Sequence, residues 1–178
     1  VFLAPTRRSR LLATRRPVLQ VLRALLLVGV TGFAMAAFRI MPLAEATALL
    51  FIAPLFVALL AGPMLGEKVG ALRWSAVAAG FVGMLLIARP GGALLLEGIV
   101  FCLTGAACYA LYQIQTRQLS PTEDTVTMLF YTALVGTVAM SLALPWIWGG
   151  PLPTWLEALM IASLGIFGGT GHFLLIAA

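Results

Sequence analysis

Residues 6–38 read TRRSRLLATRRPVLQVLRALLLVGVTGFAMAAF. Five arginines, Arg7, Arg8, Arg10, Arg15 and Arg16, stand in front of an apolar run over 18–38. A bilayer core about 30 Å thick takes about 20 apolar residues as a helix, which this run supplies. A basic cluster can bind nucleic acid. Placed directly before a membrane-length run, it reads instead as an anchor facing anionic lipid on the cytoplasmic side.

The rest of the chain repeats that pattern. Further apolar stretches cover 43–65, 72–88, 94–116, 126–148 and 156–178, each bounded by Pro, Gly or charge. Of 178 residues, 62% are apolar and 10% charged, with a mean hydropathy of +1.07. A soluble domain is about 25% charged and could not cover its surface with so few polar groups. An ordinary cytosolic domain, a disordered tail and a secreted disulfide scaffold are excluded. No stretch alternates polar and apolar residues as a barrel strand must. The expected fold is all-α, a polytopic membrane bundle of six spans in which short connections make successive spans antiparallel.

Lys and Arg orient the spans. With the first arginines in the cytoplasm, inner segments hold Arg7, Arg8, Arg10, Arg15, Arg16, Lys68, Arg73 and Arg117, and outer ones hold Arg39 and Arg89. Arg23, near the inner end of the first span, is left out of that count. Trp146, Trp148 and Trp155 flank the last outer loop and Trp74 the inner side, as an interfacial aromatic belt would. Cys102 and Cys108 lie about 9 Å apart along one helix on different faces, so they cannot pair with each other. The apolar VFLA at the start and the apolar run at the end read as cut edges of a longer chain.

No catalytic constellation is present, and no cofactor or metal is expected. One His and two Cys on one helix do not make a zinc site. Ser163 and His172 are about 13.5 Å apart along one helix and cannot form a nucleophile–base pair. The stretch 62–69, GPMLGEKV, lacks the spacing of a phosphate loop and its Ser or Thr after the Lys.

Polar groups inside spans are then the informative ones. Tyr109, Tyr112 and Gln113 share a helix face at i, i+3 and i+4; they line a polar cavity or mark an interfacial helix end. His172 is either a packing residue or a solute contact. Pro54, mid-way along 43–65, deletes a backbone hydrogen bond, so a kink or a break lining a cavity is expected there. Small residues mark helix contacts or bends, as in the Gly165–Gly169 pair, Gly80 with Gly83, and Gly29 with Gly32. Glu67 with Lys68 closes the second span at its inner end.

These residues also carry a resemblance. Residues 39–92, RIMPLAEATALLFIAPLFVALLAGPMLGEKVGALRWSAVAAGFVGMLLIARPGG, resemble the EamA repeat of the drug/metabolite transporter superfamily. The ordered marks are Pro42-Leu43-Ala44, Ala46-Thr47-Ala48, Pro54, Gly66-Glu67, Gly80, Gly83 and Arg89-Pro90-Gly91. In the last span, Gly171-His172-Phe173-Leu174-Leu175 is similar to the corresponding part of the second repeat. The resemblance implies ten spans in two inverted five-span repeats, with the six spans here the third to eighth. Residues 1–17 would then end a preceding span and form a basic loop. Residues 18–88 would be the last three spans of repeat one, and 89–178 the first three of repeat two. The first and sixth spans run in opposite directions, as inverted repeats require.

The resemblance implies a secondary carrier of a small organic metabolite or drug-like solute in a bacterial-type inner membrane, working by alternating access. Tyr109, Tyr112, Gln113 and His172 would contact solute in the cavity, and Pro54, Glu67, Gly165 and Gly169 would shape or gate it. The expected partners are the solute and the lipid bilayer, not nucleic acid, and a homodimer stays open. The alternative is a non-transporting helical subunit that assembles with a partner.

Overall fold

The computed structural model describes residues 14–66, 70–88, 96–147 and 153–177, except the side chains of 73, 84, 87, 88, 172, 173 and 175–177. Helix α1 spans Pro17–Ile40, α2 Leu43–Leu50, α3 Ala53–Leu65, α4 Ala71–Ala88, α5 Leu96–Leu119, α6 Thr125–Ile147 and α7 Trp155–Ala177. No strand occurs among the described residues. Pro17, whose missing N–H is harmless in a first turn, starts α1. The extended Met41 stops it, and Pro42 turns the chain into α2.

The second span is not one helix. Pro54 has no N–H to return to the Leu50 carbonyl. The chain answers with a turn at Phe51 and Ile52, where the Ile52 N–H bonds Leu49 O at 3.1 Å and the Leu55 N–H bonds Ile52 O at 2.9 Å. Pro54 then occupies the first turn of α3, where proline is favourable. Gly66, at φ +70°, ends α3 in the left-handed conformation that glycine adopts without penalty. At the start of α7, Thr154 and Glu157 form a reciprocal cap: the Thr154 N–H reaches Glu157 Oε2 at 2.7 Å, and the Glu157 N–H reaches Thr154 Oγ1 at 3.4 Å.

Packing arranges the helices in a row: α4, the broken pair α2 and α3, α5, α1, α6, α7. The α1–α5 contact is the most extensive, and small residues make it close. Ala24, Ala34, Ala37, Cys102, Ala106 and Ala110 are all buried there or beside it. A Cβ at Gly29 would lie 3.5 Å from Cys108 Sγ; at Gly105 it would lie 3.4 Å from Leu50 Cδ2 and 3.5 Å from Phe33 Cβ. Close approach without any gain from burying Leu against Leu is how helices associate in lipid. Gly32, Gly80, Gly83, Gly165 and Gly169 have nothing within 4 Å of such a Cβ. Close glycine contacts occur instead at Gly29, Gly98 and Gly105.

Large apolar side chains point outward along every helix, for example Leu22, Leu72, Leu86, Leu142 and Leu164. That distribution suits a hydrocarbon solvent. Pro17–Ile40, Leu43–Leu65, Leu96–Leu119 and Thr125–Ile147 are long and apolar enough to cross a membrane, and Trp74–Gly83 and Trp155–Gly171 add shorter apolar stretches. The chain is a polytopic membrane helix bundle.

Candidate functional site

The break at Phe51 and Ile52 opens a cavity of about 470 Å³ between α1, α2, α3 and α5. Its wall is mostly apolar: Val30 from α1, Leu50, Phe51, Ala53 and Pro54 around the break, Gly105 and Ala106 from α5. Thr47, Tyr109 and Gln113 bring polar atoms. The Thr47 hydroxyl is committed to Leu43 O at 2.6 Å. The Tyr109 hydroxyl and the Gln113 amide have no hydrogen-bond partner among the described residues. A largely apolar hollow of this size with a few unengaged polar groups is the usual form of a small-molecule site. On the other side of the break lies a cleft of about 530 Å³ against α4. Its lining includes Phe51, Ile52, Leu55 and Phe81 and holds no polar side chain among the described residues, so they offer nothing to orient a solute.

A second polar centre stands beside the cavity. Arg23 of α1 is fully buried, and its head points into the bundle. Nη2 donates to Gln20 Oε1 at 3.4 Å, to Thr132 Oγ1 at 2.7 Å and to the Met128 carbonyl. Nη1 donates to the Tyr112 hydroxyl at 3.4 Å and to Thr116 Oγ1 at 3.3 Å. The guanidinium carbon lies 5.3 Å from the centre of the Tyr112 ring, within cation–π range. Every one of these partners is neutral, and no carboxylate of a described residue is among them. Arg23 Nε, Gln20 Nε2 and Gln115 Oε1 are buried without a partner. The Tyr112 ring stacks on Tyr109 at 6.2 Å, which joins this centre to the cavity wall.

The anticipated residues thus fall on three places. Pro54, Tyr109 and Gln113 meet at the cavity. Tyr112 is drawn instead to α1, where Arg23 Nη1 donates to its hydroxyl at 3.4 Å and the guanidinium lies over its ring. Gly165 and Gly169 are exposed on α7, which packs on α6 alone among the described helices apart from minor contacts. Glu67 and the His172 side chain lie outside the described residues.

The EamA-like transporter family model matches residues 1–89 and again 96–178. The chain belongs to the EamA-like transporter family. This EamA-like chain is 32% identical over 168 residues to the S-adenosylmethionine uptake transporter of Rickettsia bellii, covering 94% of the chain and 57% of that protein. It is 31% identical over 166 residues to the protein of the same name from Rickettsia prowazekii, covering 92% and 54%. The riboflavin transporter of Vibrio cholerae is 33% identical over 105 residues, 58% of the chain and 35% of that protein. No solved structure matches. The chain spans about half the length of the S-adenosylmethionine transporters it matches. Family and relatives point to a transporter rather than an enzyme.

Arg23, Gln20 and Thr47 are not among the site residues that the sequence of this EamA-like chain singles out. An arginine six residues into a helix reads as one that reaches out to the interface. The signal that singles it out is its i+3 spacing from Gln20, which puts two hydrogen-bonding side chains on one face.

Proposed function

We propose that the intact protein carries a small organic metabolite across a bacterial inner membrane by alternating access. The observation that carries this reading is the cavity at the broken helix, with Tyr109 and Gln113 unengaged in its wall. Discontinuous membrane helices typically form the solute sites of secondary transporters, because unwound backbone and half-helix ends supply polar groups at mid-depth. Pro54 stands midway along its span, and Gln113 lies farther along α5, toward its C-terminal end.

The solute class follows from the wall and from the relatives' names. S-adenosylmethionine and riboflavin both join a planar heteroaromatic ring system to a hydroxylated carbon skeleton. Phe51 and Tyr109 offer ring faces for stacking, and the Gln113 amide offers both a donor and an acceptor for ring or hydroxyl groups. The two matched segments support an arrangement in two inverted repeats that meet near residue 89. Arg15, Arg16 and Arg117 gather at one end of the bundle, with the turn that follows α5; this end faces the cytoplasm in our reading.

The test is uptake of labelled S-adenosylmethionine and riboflavin into proteoliposomes holding the intact carrier and its Gln113→Ala and Tyr109→Ala variants. The expected result is uptake of at least one solute, lowered in both variants at equal protein content. Uptake unchanged in both variants rejects the cavity assignment, and uptake of neither solute rejects the proposed solute class.

A further inference from the structure

The cavity explains Tyr109 and Gln113 but not the charge beside them. Arginine keeps its proton in any protein environment. Burying one at a membrane depth with only neutral partners is expensive, and such residues are typically part of a substrate or ion pathway. Arg23 is 0% exposed, as is Gln20, and each keeps one buried donor without an acceptor, Nε and Nε2. Two unpartnered donors on adjacent side chains, with a fixed positive charge, are complementary to an anion with several acceptor lone pairs.

The bonds around Arg23 are unequal in a telling direction. Those toward α6 include the short 2.7 Å contact to Thr132. Those toward α5 are long, 3.4 Å to Tyr112 and 3.3 Å to Thr116, at the weak limit for such bonds. The weakly held side is the one next to the cavity, since Tyr112 stacks on Tyr109. A rotation of the Tyr112 ring would join Arg23 Nη1 to the cavity while α1 and α6 stay tied.

We propose that Arg23 is the anion-recognition site of the carrier, that it takes the carboxylate of the transported solute, and that the Tyr112 hydroxyl holds its place when solute is absent. This rests on the transport reading and narrows it. S-adenosylmethionine carries a carboxylate and riboflavin carries none, so a site of this kind favours an amino-acid-bearing heteroaromatic solute. A planar guanidinium suits that group, because its donors match carboxylate geometry and charge-assisted bonds are the strong ones.

The experiment measures binding of S-adenosylmethionine and of its decarboxylated analogue to the purified intact carrier, as wild type, Arg23→Gln, Arg23→Lys and Tyr112→Phe. Wild type is expected to prefer the carboxylate form by roughly tenfold or more, the size of one charge-assisted bond. Arg23→Gln should erase the preference, and Arg23→Lys should keep part of it through its point charge. Tyr112→Phe, which leaves Arg23 in place should Arg23→Gln fail to fold, should strengthen carboxylate binding and leave the analogue unchanged. No preference in wild type, or a preference intact in Arg23→Gln, overturns the inference, and so does weaker carboxylate binding in Tyr112→Phe. Proteoliposome uptake run alongside separates the two readings. A carboxylate preference without uptake counts against transport alone, whereas uptake without a preference counts against the Arg23 site alone.

Discussion

Gly105 is where the cavity wall and a close α1–α5 contact coincide, so enlarging it tests the geometry directly. A Cβ placed there would lie 3.4 Å from Leu50 Cδ2, 3.5 Å from Phe33 Cβ and 3.8 Å from the Val30 carbonyl oxygen. The first neighbour is the tip of a flexible side chain and can give a few tenths of an ångström. The other two are fixed to the α1 backbone and cannot. Gly105→Ala therefore adds a methyl group at ordinary contact distance and gains about 1 kcal/mol of helix propensity. Its stability should stay within about 1 kcal/mol of wild type. Gly105→Leu has to place further atoms against Phe33 and Val30, forcing α1 away from α5. Overpacking of this kind destabilises by about 1–3 kcal/mol, and the same atoms intrude on the cavity. The assay is thermal unfolding of the purified intact carrier together with solute uptake at equal protein level. Alanine should leave both near wild type, whereas leucine should lower the unfolding temperature and abolish uptake. A leucine variant as stable and as active as wild type would refute the close α1–α5 approach on which the cavity rests.

Other consequences are as direct. Pro54→Ala returns an N–H that can bond Leu50 O, worth about 1 kcal/mol if the helix closes over the break; uptake should fall while thermal stability holds or rises, and loss of both would count against this. Arg23→Met removes the donor shared by the neutral Gln20, Tyr112 and Thr132 groups and should destabilise by about 1–3 kcal/mol, the scale for buried polar groups that lose a hydrogen bond. Replacing Gln20 by Leu and Thr132 by Val in the same molecule should recover much of that loss, measured by the same unfolding assay. Thr154→Ala removes the α7 cap and should cost about 1 kcal/mol, visible as faster amide exchange in the first turn of α7 with uptake little changed.

The spans were legible because membrane crossing is a property of length and composition along the chain. Helices α1, α5 and α6 begin and end within a few residues of the apolar runs that foreshadow them. The break was legible for a similar reason, since Pro54 lacks a donor wherever it stands. Helix neighbours were not. In a bilayer every face of a helix is apolar, so the sequence marks small residues without saying which of them meets a partner. Gly80, Gly165 and Gly169 look as suitable as Gly29 and Gly105, yet an added Cβ meets a neighbour within 4 Å at Gly29 and Gly105 and not at those three. Arg23 shows the same limit. Its position along α1 can be counted, but whether its head turns to the interface or into the bundle depends on α6, more than 100 residues later in the chain. Tyr112 was placed on the cavity face by its spacing from Tyr109, and the Arg23 guanidinium of α1, which that spacing does not show, draws its hydroxyl instead.

The central claim is that solute passes through the cavity at the broken helix. In the intact carrier with Cys102 and Cys108 replaced, Gln113→Cys would give one thiol in that wall. Its rate of modification by a small charged thiol reagent, with and without a transported solute, is the measurement. The account predicts modification from the aqueous phase that the solute slows. A thiol that never reacts, or one whose rate is the same with saturating solute, would contradict it.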